Sequence, residues 1–210
     1  MHQRERVAQM RRALPRFKVQ REYAFQVGPD SLLKNDPKEY DTVSFSDLFG
    51  DAKYLLIAHC MFGERDKQPC GMCAMWADGY NAIAHWIRAA GECAFALVAK
   101  AELKALRSYA KKRGWTNIKL VSTNESTFNA DFGAESPDGG QRGTLSVFHK
   151  LPDGSIYHTY ASSMSMQPFE HRGIDLYTPV WNLMDLLPTG RPLMWYPDNE
   201  TALTSTNRNL

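Results

Sequence analysis

The chain lacks any long apolar run. Its longest are Leu55-Leu56-Ile57-Ala58 and Phe95-Ala96-Leu97-Val98-Ala99, and its mean hydropathy is −0.44. A spanning helix needs about 20 mostly apolar residues, so the sequence predicts no membrane crossing. The first residues, MHQRERVAQMRRALPR, lack the apolar stretch and the small-residue cleavage site of a secretory leader. A cytoplasmic location is the expectation. Charge of one sign is also lacking. There are 25 Lys and Arg against 23 Asp and Glu, a net charge of +2, which argues against nucleic acid or a membrane as the main partner. There is no internal repeat and no low-complexity tract. Cysteine is scarce, with four in 210 residues. A disulfide-stapled secreted scaffold would be smaller and denser in cysteine. In a reducing compartment such thiols stay free, bind metal or carry redox chemistry.

What is present reads as one soluble globular domain with decorations. The length fits about one domain, and 43% hydrophobic with 23% charged residues is ordinary for a packed core. Residues 1–22 form a basic arm, with seven Lys and Arg against Glu5 and Glu22. Val7, Met10 and Leu14 recur on it at helical spacing, and Pro15 ends the pattern. The main domain is expected over 23–190 and an irregular tail over 191–210. Phe17, Val19, Tyr23 and Phe25 alternate with polar residues, which predicts a strand pair or one long edge strand. Lys53 to Cys60 reads as a buried strand and Gly71 to Ala90 as a helix capped by Gly91. Ala94 to Ala99 is a second strand, Ala101 to Arg113 a second helix closed by Gly114, and Asn117 to Val121 a third strand. Thr144 to Lys150 and Ser155 to Tyr160 flank Leu151-Pro152-Asp153-Gly154, a hairpin signal. Pro179 opens a last helix, expected to run to Leu187. This order predicts an α/β fold: a central mixed sheet flanked by helices, with an N-terminal extension.

The chemistry-bearing motif is Cys70-Gly71-Met72-Cys73, placed after a strand and at a helix start. A helix N-terminus offers unpaired N–H groups and a partial positive charge of about half a unit. A thiolate there is stabilised, and its pKa falls from about 8.5 toward about 3.5–7.5. Cys70 is then the nucleophile and Cys73, one turn inward, the resolving thiol. Two other readings stay open. The pair is half of a zinc site, although no second C-x-x-C or H-x-x-x-H completes it and His59 with Cys60 would have to serve. Alternatively, the cysteines are inert core. Cys60 and Cys93 read as small buried hydrophobes, and His59 and Trp76 as packing residues. No cofactor or metal is expected.

Several further segments accompany this motif: SFSDLFG at 44–50, Met61-Phe62-Gly63, Trp76-Ala77-Asp78, Gly114-Trp115, Phe128 to Gly133 (FNADFG), Leu145 to Phe148, and Tyr157-His158-Thr159-Tyr160. With Pro69 to Cys73 they resemble domain of unknown function 899, a bacterial family of predicted dithiol–disulfide oxidoreductases. The resemblance covers about residues 15 to 190. It implies a thioredoxin-like three-layer fold and a redox role for Cys70 and Cys73. Thioredoxins carry Trp-Cys-Gly-Pro-Cys, whereas Pro69 and Met72 stand here, which leaves the redox poise open. They also place a proline before the closing hairpin, where this chain has Gln141-Arg142-Gly143-Thr144. That stretch is similar to peroxiredoxins. The similarity implies a thiol peroxidase in which Arg142 holds the thiolate and the peroxide, with Thr144 beside it as a substrate-binding residue. A non-catalytic binding module on the same fold is the third reading. The expected partners are a disulfide or peroxide substrate and an external thiol reductant. The basic arm and N-terminal strands offer a surface for self-association.

Overall fold

The structure, a computed structural model, describes residues 2–163, 177–191 and 196–199. The arm forms α1 (His2–Arg12), followed by β1 (Phe17–Lys18), β2 (Ala24–Val27), β3 (Asp41–Ser44) and β4 (Tyr54–Cys60). Next come α2 (Gly71–Gly91), β5 (Cys93–Ala99), α3 (Leu103–Arg113), β6 (Lys119–Ser122) and α4 (Phe128–Asp131). The hairpin β7 (Thr144–Lys150) and β8 (Ile156–Ser163) leads to α5 (Pro179–Met184). The expected irregular tail lies outside the described residues except for Arg191 and 196–199.

Eight strands join one sheet in the order β1-β8-β7-β4-β5-β6-β2-β3. Pairs β4–β5 and β5–β6 are parallel, and β7 runs antiparallel to β4. Strands buried on both faces read as continuous apolar runs, and β4 and β5 do so. Ala58, Cys60, Phe95, Leu97 and Ala99 face a core closed by α2, α3 and Trp181 of α5. Leu55, Ile57, Ala96 and Val98 face a second core on the other side, with Phe25, Phe45, Phe49, Phe128 and Phe148. The central mixed sheet with helices on its faces is the predicted architecture.

Two local expectations are revised. The alternating stretch 17–26 is neither one strand nor a pair. Phe17–Lys18 pairs with β8 near one sheet edge, and Ala24–Val27 lies between β6 and β3 near the other. Residues between them cross the end of the sheet, where the Tyr23 hydroxyl donates to Asp131 at 2.9 Å and Arg21 to the same carboxylate at 3.1 Å. Gly91 does not cap α2 either. Glu92 takes the left-handed conformation, with φ of 50°. Its carbonyl accepts from Lys53 N and Tyr54 N, and its carboxylate pairs with Lys53 at 2.8 Å. These tertiary bonds hold a non-glycine residue where the local pattern favours glycine.

His59 packs as expected, at 1% exposure. Its ring stacks on Phe128 and its Nε2 lies 3.2 Å from Ser146 Oγ. Burial pushes its pKa from 6.5 down to about 4, and burial lowers His158 as well. A folded-state pKa below the ordinary value means the folded chain refuses a proton that the unfolded chain accepts. Stability is therefore full above pH 6.5 and is lost as pH falls toward 4. The expected loss at pH 4 is about 3 kcal/mol for His59 alone, and urea midpoints between pH 7.5 and 4.5 would read it. His59→Gln should flatten that dependence. A wild-type midpoint constant down to pH 4.5 would contradict the assignment.

Candidate functional site

Cys70 occupies the N-cap of α2. It follows a loop from Met61 that returns to the end of β4, with Cys70 N donating to Met61 O at 3.0 Å. The Cys70 side chain is half-buried and Cys73 is buried, at 3% exposure. The Cys73 thiol and the Cys73 backbone N–H both act on the Cys70 thiol. The motif thus places one sulfur at the mouth of a helix and the second one turn inside, as its spacing predicts.

Cys60, read from the sequence as a small buried hydrophobe and otherwise only as a candidate zinc ligand, is a neighbour of Cys73. It is buried and its thiol acts on Cys73, while Met61 N donates to Cys73 Sγ at 3.4 Å. Cys73 is therefore influenced by thiols on both sides, Cys70 and Cys60. A signal existed. Leu56, Ala58 and Cys60 share one parity on β4, and that face is the one α2 covers. Among the described residues no group of three or more His, Cys, Asp or Glu side chains is arranged to hold a metal ion. Cys93 is a buried thiol at the start of β5, as expected.

The tail crosses over the motif. The Tyr196 hydroxyl lies 2.7 Å from Cys70 Sγ. Asn199 anchors this strap. Its side chain donates to Pro69 O at 2.8 Å and accepts from the Tyr109 hydroxyl at 2.9 Å, and its carbonyl accepts from Arg113 at 3.2 Å. Nothing local in the sequence marks Tyr196.

The charge state departs from the sequence expectation. The Cys70 thiol is pushed up rather than down, first by the Cys73 thiol and then by burial. The Tyr196 hydroxyl and the Cys73 N–H oppose this. Cys73 is raised as well, first through Cys60 and also by burial. Tyr196 is raised by burial and by Cys70, which keeps its hydroxyl a donor. In this closed arrangement the helix terminus is present but Cys70 rests as a thiol. Burial is the part of that balance which lifting the strap would remove.

Gly71 gives a handle on the strap. A Cβ there would lie 2.1 Å from Pro197 O, a backbone atom. Gly71→Ala is expected to displace the strap and to speed alkylation of Cys70 by iodoacetamide at pH 7 about tenfold. An unchanged rate would show that residues 196–199 do not limit access.

The remaining predicted site residues are Arg142 and Thr144. Arg142 is exposed; its backbone N–H donates to Ala134 O at 2.7 Å, and its charge acts on Asp138. No described contact joins it to Cys70. Thr144 is buried at the start of β7, opposite His59 and Ser163, and its hydroxyl has no hydrogen-bond partner among the described residues.

A family model described as "Bacterial protein of unknown function (DUF899)" matches residues 1–203. No curated protein matches the chain. Among solved structures, Enterococcus faecalis AhpC is similar at a TM-score of 0.52 and 13% identity, over 72% of this chain and 81% of that one. The Plasmodium falciparum antioxidant protein, a 1-Cys peroxiredoxin, gives 0.52 and 13%, over 81% and 96%. Mycobacterium tuberculosis AhpC gives 0.50 and 13%, over 70% and 85%. At these identities the likeness establishes the fold, which is thioredoxin-like.

Proposed function

The chain belongs to the bacterial family DUF899, and from that premise we propose that it is a thiol–disulfide oxidoreductase working through Cys70 and Cys73. The observation that carries the reading is the pair itself: a half-buried thiol at the N-cap of a long helix, with a buried thiol one turn inward acting on it. When the strap lifts, Cys70 loses its proton to solvent and the thiolate attacks a substrate disulfide. One substrate sulfur leaves as a thiolate, and a mixed disulfide remains. Cys73, deprotonated in turn, attacks Cys70 Sγ and expels the second substrate sulfur. A Cys70–Cys73 disulfide results, and an external dithiol reduces it. The expected setting is a reducing cytoplasm.

A second reading is supported by the likeness to a 1-Cys peroxiredoxin. The Cys70 thiolate attacks the O–O bond of a peroxide, the leaving oxygen departs as water or alcohol, and a sulfenic acid forms. Cys73 condenses with it and releases water. Arg142 and Thr144 would serve this reading as substrate-binding residues after a rearrangement that brings the guanidinium to the sulfur. Self-association belongs to the same proposal.

One comparison separates the two. The reduced protein is given insulin with dithiothreitol in one assay and hydrogen peroxide with dithiothreitol in another. Faster insulin reduction with little peroxide turnover is expected. The reverse would install the peroxidase reading, and inactivity in both would remove both.

A further inference from the structure

An apolar cavity of about 620 Å³, with no cysteine among its described lining residues, lies between the N-terminal arm and the sheet. That volume is within the range of about 300–1,000 Å³ typical of small-molecule sites. Its floor is made by Leu56, Phe95 and Val147 on β4, β5 and β7, and one wall by Ile83 and Ile87 on α2. Ile83 remains 46% exposed, so the helix presents apolar surface to this space instead of burying it. Two wall hydroxyls are engaged, Thr159 with Val147 O at 3.1 Å and Tyr177 with Ser162 O at 3.2 Å, whereas the buried Tyr80 hydroxyl has no hydrogen-bond partner among the described residues.

The rim has a different chemistry. Arg11, Arg12 and Arg16 line it, and among the described residues no Asp or Glu does. Arg12 pairs with Glu5 at 2.7 Å. Arg11 and Arg16 have no ion-pair partner among the described residues. An apolar interior rimmed by guanidiniums selects a ligand with a hydrocarbon body and one anionic head, because the body takes up the apolar surface and the head supplies the bidentate acceptor an arginine fits. A neutral ligand would leave the rim unanswered, and a cationic one would be repelled.

We propose that this cavity is a binding site for a free long-chain monocarboxylate, held by Arg11 and Arg16 at the rim and by the α2 and sheet side chains within. The site is separate from the chemistry proposed for Cys70, and its test does not read turnover. Calorimetric titration of the full chain with laurate, below its micelle concentration, should give saturable one-to-one binding. Dodecyltrimethylammonium, of equal chain length and opposite charge, should bind at least about tenfold more weakly. The exposed double change Arg11→Glu with Arg16→Glu should weaken laurate at least about tenfold while leaving the circular dichroism spectrum unchanged. Val147→Trp, which fills the floor, should weaken it independently of charge. Absence of saturable laurate binding would overturn the proposal, as would equal affinity for the cationic amphiphile or for the charge-reversed variant. Binding to phosphatidylglycerol vesicles without laurate binding would also overturn it, since the arginines would then serve a membrane surface.

Discussion

Replacing Cys70 by serine is expected to lower dithiothreitol-driven disulfide turnover by about a thousandfold or more, because the attacking atom itself is removed. The change is nearly isosteric at a half-buried N-cap, and serine is a favoured capping residue, so the fold should be retained. Circular dichroism and the urea midpoint check that point. The partner variant behaves differently. Cys73→Ser keeps the nucleophile and loses the thiol that expels the substrate sulfur. One mixed disulfide per chain should accumulate on Cys70, visible as a mass increment that dithiothreitol removes. Cys70→Ser should form none. Wild-type turnover in Cys70→Ser would end the proposed chemistry, whatever the behaviour of Cys73.

The second large effect is structural. Asp78 on α2 accepts from Trp115 Nε1 at 2.8 Å and from Arg113 through two nitrogens. The Arg113 side chain is only 4% exposed, and it also donates to Asn199 O at 3.2 Å. Asp78→Ala would leave a buried guanidinium without its carboxylate and an indole N–H without its acceptor. The expected cost is about 3 kcal/mol, or roughly 10 °C in Tm for a chain of this size. Calorimetric melting reads it directly. The same change loosens the Asn199 anchor, so Cys70 alkylation should quicken in the folded protein. A melting shift below about 2 °C would show that water replaces the carboxylate at this partly open position.

This network also shows how the sequence and the structure relate. Asp78 and Trp115 lie in separate short segments, Trp76-Ala77-Asp78 and Gly114-Trp115. The structure joins them, because α2 and the end of α3 pack on one face of the sheet. Their pairing could be suspected from the two segments, but the contact depends on how two helices sit over β4 to β6. Cys60 is an intermediate case, since its parity on β4 points it toward α2 while its closeness to Cys73 depends on the loop from Met61 to Cys70. Tyr196 is the opposite case. It meets Cys70 across 126 residues, and no periodicity, spacing or charge pattern links the two.

The sequence by itself determined the alternation of strands and helices, the two-faced burial of β4 and β5, and the position of the cysteine pair at the start of α2. Those features follow from local periodicity and from the geometry of a helix end, which a short window of residues contains. Tertiary structure alone decided that a third sulfur backs the pair, that a tail residue covers it, and that residues 17–26 divide between strands near opposite ends of the sheet. The protonation of Cys70 belongs with these. A helix terminus acts through the first turn, but burial and a neighbouring thiol come from chain segments that only packing brings together.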